Sequence, residues 1–399
     1  MLNNTIYHAL VLNLHQPSGN LEHLLKHNLW EAKEILWALD RIPRSLWGYE
    51  DVARVHLAMS GTLLETLKKP EFQDQVYGIT KTGDLLWQLQ NTQIFEILGT
   101  GFYHPVFPLT PDADWAEQLQ RWQQMGQHLF WRTQFDGFWP PEMGFCMEMI
   151  PYLKRMGYRY VLVDSEHVEP VDDDMSWQEL RYRPHIAEYD DDEIIIIVRD
   201  RELSNAQESG MDFGWFEHEA HERTKWCNFA PLITTCTDGD NGGWFRNTNL
   251  SSNFWYVFYR QFLDEVRQGY TKLRPTFIDE YLNKHGAYGQ VKVRTAAWNT
   301  GIHDGVGFVQ WTGSDVQKQA LERLSQVSTQ FHELKNQAQE APHSVDIQHL
   351  LSEAHWHLLR AETSCHFFWG ESWVSRSHAD LDIVEHLLTQ ITASNERMS

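Results

Sequence analysis

A series of short apolar runs, each ending in polar or ionisable residues, constrains the fold of this chain more than any other feature. Ile6 to Leu14 runs into His15-Gln16-Pro17, and Ile94 to Leu98 reaches Gly99-Thr100-Gly101 and then His104-Pro105. Phe135 to Trp139 delivers Glu142, Tyr158 to Val163 delivers Asp164, Ile194 to Val198 delivers Asp200, and Pro231 to Thr237 delivers Asp238. Short runs rich in Val, Ile and Leu are the pattern of strands buried on both faces, as in a parallel sheet. Helical periodicity falls between them. Trp115, Leu119, Trp122 and Leu129 repeat after Pro111-Asp112, Met147 to Met156 follows Glu142, and Phe254 to Val266 follows Asp238. Strands alternating with helices predict an α/β architecture. In a parallel barrel the polar groups at the C-terminal strand ends converge on one mouth, so the six run-ending groups are expected to face one another. An open doubly wound sheet fits the same pattern.

Beyond about Trp311 the character changes. Val316 to Gln339, Asp346 to Thr363 and Ala379 to Ile391 read as helices with no strands between them, and the polar stretch Asn336 to Ser344, with Pro342, separates two of them. The expected organisation is a catalytic barrel over residues 1–310 and a C-terminal helical region over residues 311–399 packed on it.

Composition narrows the partners. Lys and Arg total 33 against 55 Asp and Glu, a formal charge of −22, which repels phosphate backbones and anionic lipid. Nucleic acid and membrane surfaces are therefore not expected partners, whereas a neutral sugar meets no such barrier. The 18 Trp supply broad apolar faces for the core and for stacking on sugar rings. Cys146, Cys227, Cys236 and Cys365 form no C-x-x-C pair and no disulfide framework. The start Met1-Leu2-Asn3-Asn4-Thr5-Ile6 has no basic n-region, and no apolar stretch approaches the roughly 20 residues of a membrane span. A soluble, cytoplasmic protein is expected, with the oligomeric state open.

Two segments carry the chemistry: Phe138-Trp139-Pro140-Pro141-Glu142-Met143-Gly144-Phe145 and Thr237-Asp238-Gly239-Asp240-Asn241-Gly242-Gly243-Trp244. In the first, two prolines fix successive φ angles and Gly144 is expected to permit a sharp turn, holding Glu142 stiffly. In the second, Asp238 ends its apolar run and is the better anchored acid, with Asp240 behind it. A calcium loop counted from Asp238 fails, because position five is Gly242 and position twelve is Asn249. Two stiffly held carboxylates beside flat apolar surface suit glycosidic bond cleavage, one attacking and the other moving a proton. His15 and His104, also at run ends, are candidates to contact substrate hydroxyls or hold a carboxylate. The clusters Asp172 to Asp174 and Asp190 to Glu193 read as solvated loops. His218 and His221 are three apart but fall in a polar stretch, and no H-x-x-x-H or H-E-x-x-H spacing appears near His15, His104 or Asp164, so no metal or other cofactor is expected.

In order, His15-Gln16-Pro17, Gly101-Phe102-Tyr103-His104, Trp139-Pro140-Pro141-Glu142 and Asp238-Gly239-Asp240-Asn241-Gly242-Gly243-Trp244 resemble glycoside hydrolase family 57, with a weaker region at Ala361 to Gly370. The resemblance implies an incomplete (β/α)7 TIM-like barrel and retaining action on α-glucans such as starch, glycogen or maltodextrin. It implies Glu142 as nucleophile, Asp238 as general acid/base, and substrate contacts from His15 and His104. Gln16, Trp139, Asp240, Trp244, Glu362 and His366 complete the expected substrate-binding set. Ala361-Glu362-Thr363-Ser364-Cys365-His366 departs from the family, with Cys365 and His366 where an Asp-Trp pair often stands. Amylase, 4-α-glucanotransferase and branching activities are all compatible. Two rival classes remain, a metal-dependent carbohydrate deacetylase-like hydrolase and a catalytically silent sugar-binding barrel.

Overall fold

The computed structural model describes residues 5–171, 174–240, 242–300, 307–340 and 345–398. Part of the acidic cluster at Asp172 to Asp174, Asn241 of the glycine-rich turn and Pro342 lie outside these residues. In chain order the strands are β1 (Ile6–Leu14), β2 (Val55–Met59), β3 (Phe95–Leu98), β4 (Gly137–Phe138), β5 (Tyr160–Asp164), β6 (Val168–Pro170), β7 (His185–Tyr189), β8 (Asp192–Arg199), β9 (Leu232–Asp238), β10 (Leu273–Pro275) and β11 (Val291–Val293). Seven of them form a parallel sheet in the order β3-β2-β1-β9-β8-β5-β4. Its two edges meet where Gly99 N–H donates to Gly137 O at 2.9 Å and Trp139 N–H donates to Gly99 O at 2.8 Å. The sheet is thus nearly closed into a barrel, thinnest at β8 and β9, which are joined through the single register pair Arg199 and Thr234.

Alternation along the strands sorts the side chains into two layers. In β1, Leu10, Leu12 and Leu14 pack outward under the surrounding helices. Ala9 and Val11 point inward with Leu98, Trp139, Leu162, Ile197 and Cys236. Ile278, Tyr281 and Leu282 of the helix Ile278–His285 join this inner layer. By the same period Asn13 of β1 and Asp238 of β9 share the inward face, and the two are register partners.

The helices Asp112–Phe130, Ile150–Arg155 and Arg260–Gln268 fall where periodicity expects them. The strand β2 does not show as an apolar run because His56 interrupts it. That imidazole is fully buried: Nδ1–H donates to Leu10 O at 3.0 Å and Nε2 accepts from Ile278 N–H at 3.0 Å. The C-terminal stretch is helical, with Asp315–Glu340, Val345–Ala361, Ser364–Phe368 and Glu371–Met398. Its core of Trp311, Leu324, Phe331, Leu358 and Leu381 also takes in Val106 and Ala297 from loops around the barrel.

Glycine is required where the edges close. A Cβ on Gly137 would fall inside the ring of Tyr160, which is fully buried and donates from its hydroxyl to Glu96 at 2.6 Å. Gly137→Ala is expected to lower stability by about 1–3 kcal/mol through overpacking, read as a lower denaturant midpoint. Gly78→Ala, where a Cβ meets nothing within 4 Å, is the control and is expected to stay within about 0.5 kcal/mol of wild type.

Candidate active site

At the C-terminal ends of the strands a cavity of about 610 Å³ is lined by Asn13, His15, Gln16, His104, Glu142, Asp238 and Trp298, with Cys365, Phe368, Trp369 and Trp373 from the helical region. Glu142 reaches it from a strained turn. Its φ of 55° and that of Met143, 49°, are both left-handed, a conformation that persists only where surrounding contacts hold it. The expected role of Gly144 is therefore corrected. Gly144 has an ordinary φ of −70°, and glycine is needed there for space, since a Cβ would lie 2.9 Å from Val106 Cγ1.

The Glu142 carboxylate is held at both oxygens. Ser364 Oγ donates to Oε1 at 2.7 Å and Trp298 Nε1–H donates to Oε2 at 3.0 Å, while Trp298 N–H also donates to the Glu142 carbonyl at 2.9 Å. Trp298 is braced in turn by the edge of Trp139, with centroids 5.7 Å apart, and by the Arg199 guanidinium 5.8 Å from its ring. Asp238 Oδ1 accepts from Asn13 Nδ2 at 2.8 Å. Asn13 Oδ1 lies 3.4 Å from His104 Nε2, and His104 Nδ1 lies 3.2 Å from Ser364 Oγ. Asn13, His104 and Ser364 therefore stand in series between the two carboxylates, and with Ser364 donating to Glu142 the one N–H of neutral His104 is free to donate from Nδ1 to Ser364 Oγ.

Electrostatics follow from this crowding. Burial, and then the charge of Asp238, push the Glu142 carboxyl up to about 7, against the opposing hydrogen bonds from Ser364 and Trp298. Asp240 is raised to about 7 in the same way, by burial and then by Asp238. His15 and His104 stack with centroids 3.8 Å apart and planes 4° from parallel. Burial lowers both, His104 to about 3 and His15 well below its ordinary value, where the facing His104 adds to the effect; both rings are neutral. Both ring nitrogens of His15, which lines the cavity, are buried without a protein partner.

The other expected residues fall into two groups. Gln16 lines the cavity and donates to Asp240 Oδ2 at 2.9 Å. Asp240 and Trp139 are fully buried and Glu362 is 1% exposed. These three stand behind the wall: Asp240 meets Gln16 and Trp139 meets Trp298, both of which line it, while Glu362 accepts from Gln118 Nε2 at 2.6 Å. Trp244 and His366 are likewise absent from the cavity lining, whereas Cys365 is part of it. The expected convergence of all six run-ending groups is corrected as well. Asp164 sits between Arg199 at 2.7 Å and Arg201 at 2.8 Å, buried as an ion-paired strut. Asp200 caps the helix Arg201–Glu208 and accepts from Tyr182 Oη at 2.9 Å. His218 is exposed and His221 half-buried on the helix Phe213–Thr224, away from the cavity lining.

Three positioning residues were not singled out from the sequence. Asn13 was legible in principle, as a polar residue in phase with Ala9 and Val11 on the inner face of β1. Trp298 and Ser364 follow from long-range packing, which brings Thr363 into an antiparallel bridge with Pro105 and Ser364 N–H onto His104 O at 3.0 Å.

Comparisons with known proteins agree with this architecture. The model of Glycosyl hydrolase family 57 matches residues 12–294. An alpha-amylase of Pyrococcus horikoshii is 26% identical over 192 residues, 47% of this chain and 27% of the relative. A 4-alpha-glucanotransferase of Thermococcus kodakarensis is 27% identical over 156 residues, 38% of this chain and 21% of the relative. The matches thus span only about a quarter of the length of these relatives. Among solved structures, a branching enzyme of the same family from Pyrococcus horikoshii superposes with a TM-score of 0.72 at 14% identity, covering 100% of this chain and 92% of that one. An alpha-amylase from Thermotoga maritima superposes with a TM-score of 0.69 at 13% identity, covering 98% and 94%. At these identities the superpositions speak for the (β/α)7 fold alone. With the family model matching well over half of its length, the chain belongs to glycosyl hydrolase family 57.

Proposed function

We propose that this protein is a retaining enzyme of α-linked glucans, a glycoside hydrolase or transglycosidase, with Glu142 as nucleophile and Asp238 as general acid/base. The observation that carries the reading is the pair of carboxylates on one cavity, one of them fixed at both oxygens in a strained turn. Family membership and the similarity to amylases, a glucanotransferase and branching enzymes support the substrate class.

In the first step Glu142 attacks the anomeric carbon, the glycosidic C–O bond breaks, and Asp238 gives its proton to the departing oxygen. In the second, Asp238 takes a proton from water or a sugar hydroxyl, whose oxygen displaces Glu142 and restores the anomeric configuration. The two directed donors on Glu142 oppose the burial and the Asp238 charge that raise it, and the proximity of the two acids favours one shared proton over two charges. The neutral, partnerless nitrogens of His15 suit sugar hydroxyls. Trp369, 56% exposed, and Trp373, with ring centroids 6.4 Å apart, offer faces for sugar rings along the open side.

Glu142→Gln is expected to lower turnover by at least about 10³-fold on maltooligosaccharides while circular dichroism stays native; near-normal turnover contradicts the assignment. Azide separates the two roles. With Asp238→Ala it should yield a glycosyl azide of retained configuration, and with Glu142→Ala one of inverted configuration. Identical products from both variants would count against the division of labour.

The raised Glu142 carboxyl sets a pH dependence. Attack needs the carboxylate, so kcat/KM should fall on the acid side with an apparent pKa near 7. The same shift acts on stability. The folded protein holds this proton more tightly than the unfolded chain, so stability declines as pH rises from the ordinary 4.5 toward 7. Glu142→Gln removes that penalty and is expected to raise stability at pH 8.5 by about 1–3 kcal/mol, with little gain at pH 4. Equal effects at both pH values would remove the electrostatic account of the site.

A further inference from the structure

Where the C-terminal helices meet the barrel, a second set of ionisable groups is buried that the proposed reaction does not use. Asp114, in the first turn of the helix Asp112–Phe130, is fully buried. Its Oδ1 lies 2.8 Å from His332 Nε2 and 3.6 Å from His355 Nε2, and its Oδ2 accepts from Ser328 Oγ at 2.6 Å. One ligand atom from each of Asp114, His332 and His355 lies within 4.8 Å of the others. The three residues come from three different helices, Asp112–Phe130, Asp315–Glu340 and Val345–Ala361.

His355 is only 6% exposed, stacked on Phe331 with centroids 4.7 Å apart, and its Nε2 has no hydrogen-bond partner. At 3.6 Å the nearest Asp114 oxygen is beyond hydrogen-bond reach. A buried imidazole nitrogen aimed at a carboxylate without bonding to it is what a site looks like when a cation belongs between the two. The donor set of one carboxylate and two imidazoles suits zinc and its neighbours, whereas calcium and magnesium take oxygen ligands throughout. Tetrahedral ligands at about 2.0–2.2 Å lie roughly 3.3–3.5 Å from one another, and the observed separations of 2.8 and 3.6 Å bracket that spacing. Beside the three residues, Ser328 Oγ donates to Asp114 Oδ2, the kind of outer-shell contact that orients a ligating carboxylate.

We propose that Asp114, His332 and His355 bind one divalent transition-metal ion of the zinc class as a structural site that fastens the C-terminal helices to the barrel wall. The site is separate from the reaction, since none of its three residues lines the cavity. It does bear on the reaction's geometry: Glu362, beside Asp114, is two residues from Ser364, which holds Glu142. The inference stands on this cluster alone and not on the proposed activity.

The test uses the full chain, stripped with a chelator and dialysed against Zn²⁺. Saturable uptake of one ion per chain, and a melting temperature that rises with Zn²⁺ concentration, are expected. Co²⁺ in its place should give the strong visible absorption of a four- or five-coordinate ion with nitrogen ligands. His355→Ala should weaken uptake by at least about tenfold, as should His332→Gln, whose side chain is 21% exposed and whose loss leaves the core filled. No saturable uptake by the wild-type protein, an octahedral water-like Co²⁺ spectrum, or uptake undiminished in His332→Gln would each overturn the assignment. Glycosidase activity enters none of these readouts, so failure here leaves the proposed reaction untouched.

Discussion

The site depends on one constraint: two carboxylates must be kept on one cavity among largely buried groups. Burial, and then the charge of Asp238, make Glu142 hard to ionise, which is why it is driven to about 7. The fold answers with directed donors rather than with cations. Trp298 and Ser364 hold Glu142, and Asn13 holds Asp238. Arg199 and Arg201 pair with Asp164, while Arg246, which lines the cavity, donates from Nε to Asp240 O at 2.7 Å.

That clamp reaches across the molecule. Asn13 comes from the first strand, Trp298 from the segment after the last, and Ser364 from the helical region. The bridge between Pro105 and Thr363, and the hydrogen bond from Ser364 N–H to His104 O, tie that region to the loop carrying His104. The C-terminal helices therefore complete the cavity wall as well as burying their own core. Cys365 faces the cavity, and burial pushes its thiol up to about 12, so it presents a neutral surface near Glu142.

The strand ends and the order of the two acids were legible in the sequence because both are local. An apolar run followed by a rigid acidic turn needs no partner to be recognised. What escaped was set by distance or disguised by chemistry. His56 hides β2 because its imidazole satisfies Leu10 and Ile278 inside the sheet, which no window of local hydropathy can express. Ser364 and Trp298 carry no local mark of the contacts they make. Asp164 and Asp200 have the same strand-end position as Asp238 yet differ in what folds onto them, arginines and a helix N-terminus instead of open space. Position in the barrel nominates a residue, and the surrounding packing decides its work.

The central claim is that Glu142 forms a covalent bond with the sugar. The most direct measurement is mass spectrometry of the protein after reaction with a fluorinated maltosyl fluoride, which slows release of the glycosyl-enzyme. The account predicts one added fluorinated maltosyl group per chain, located by proteolysis on the peptide carrying Glu142. A label on Asp238, or turnover that inverts the anomeric centre with no label on the protein, would contradict it.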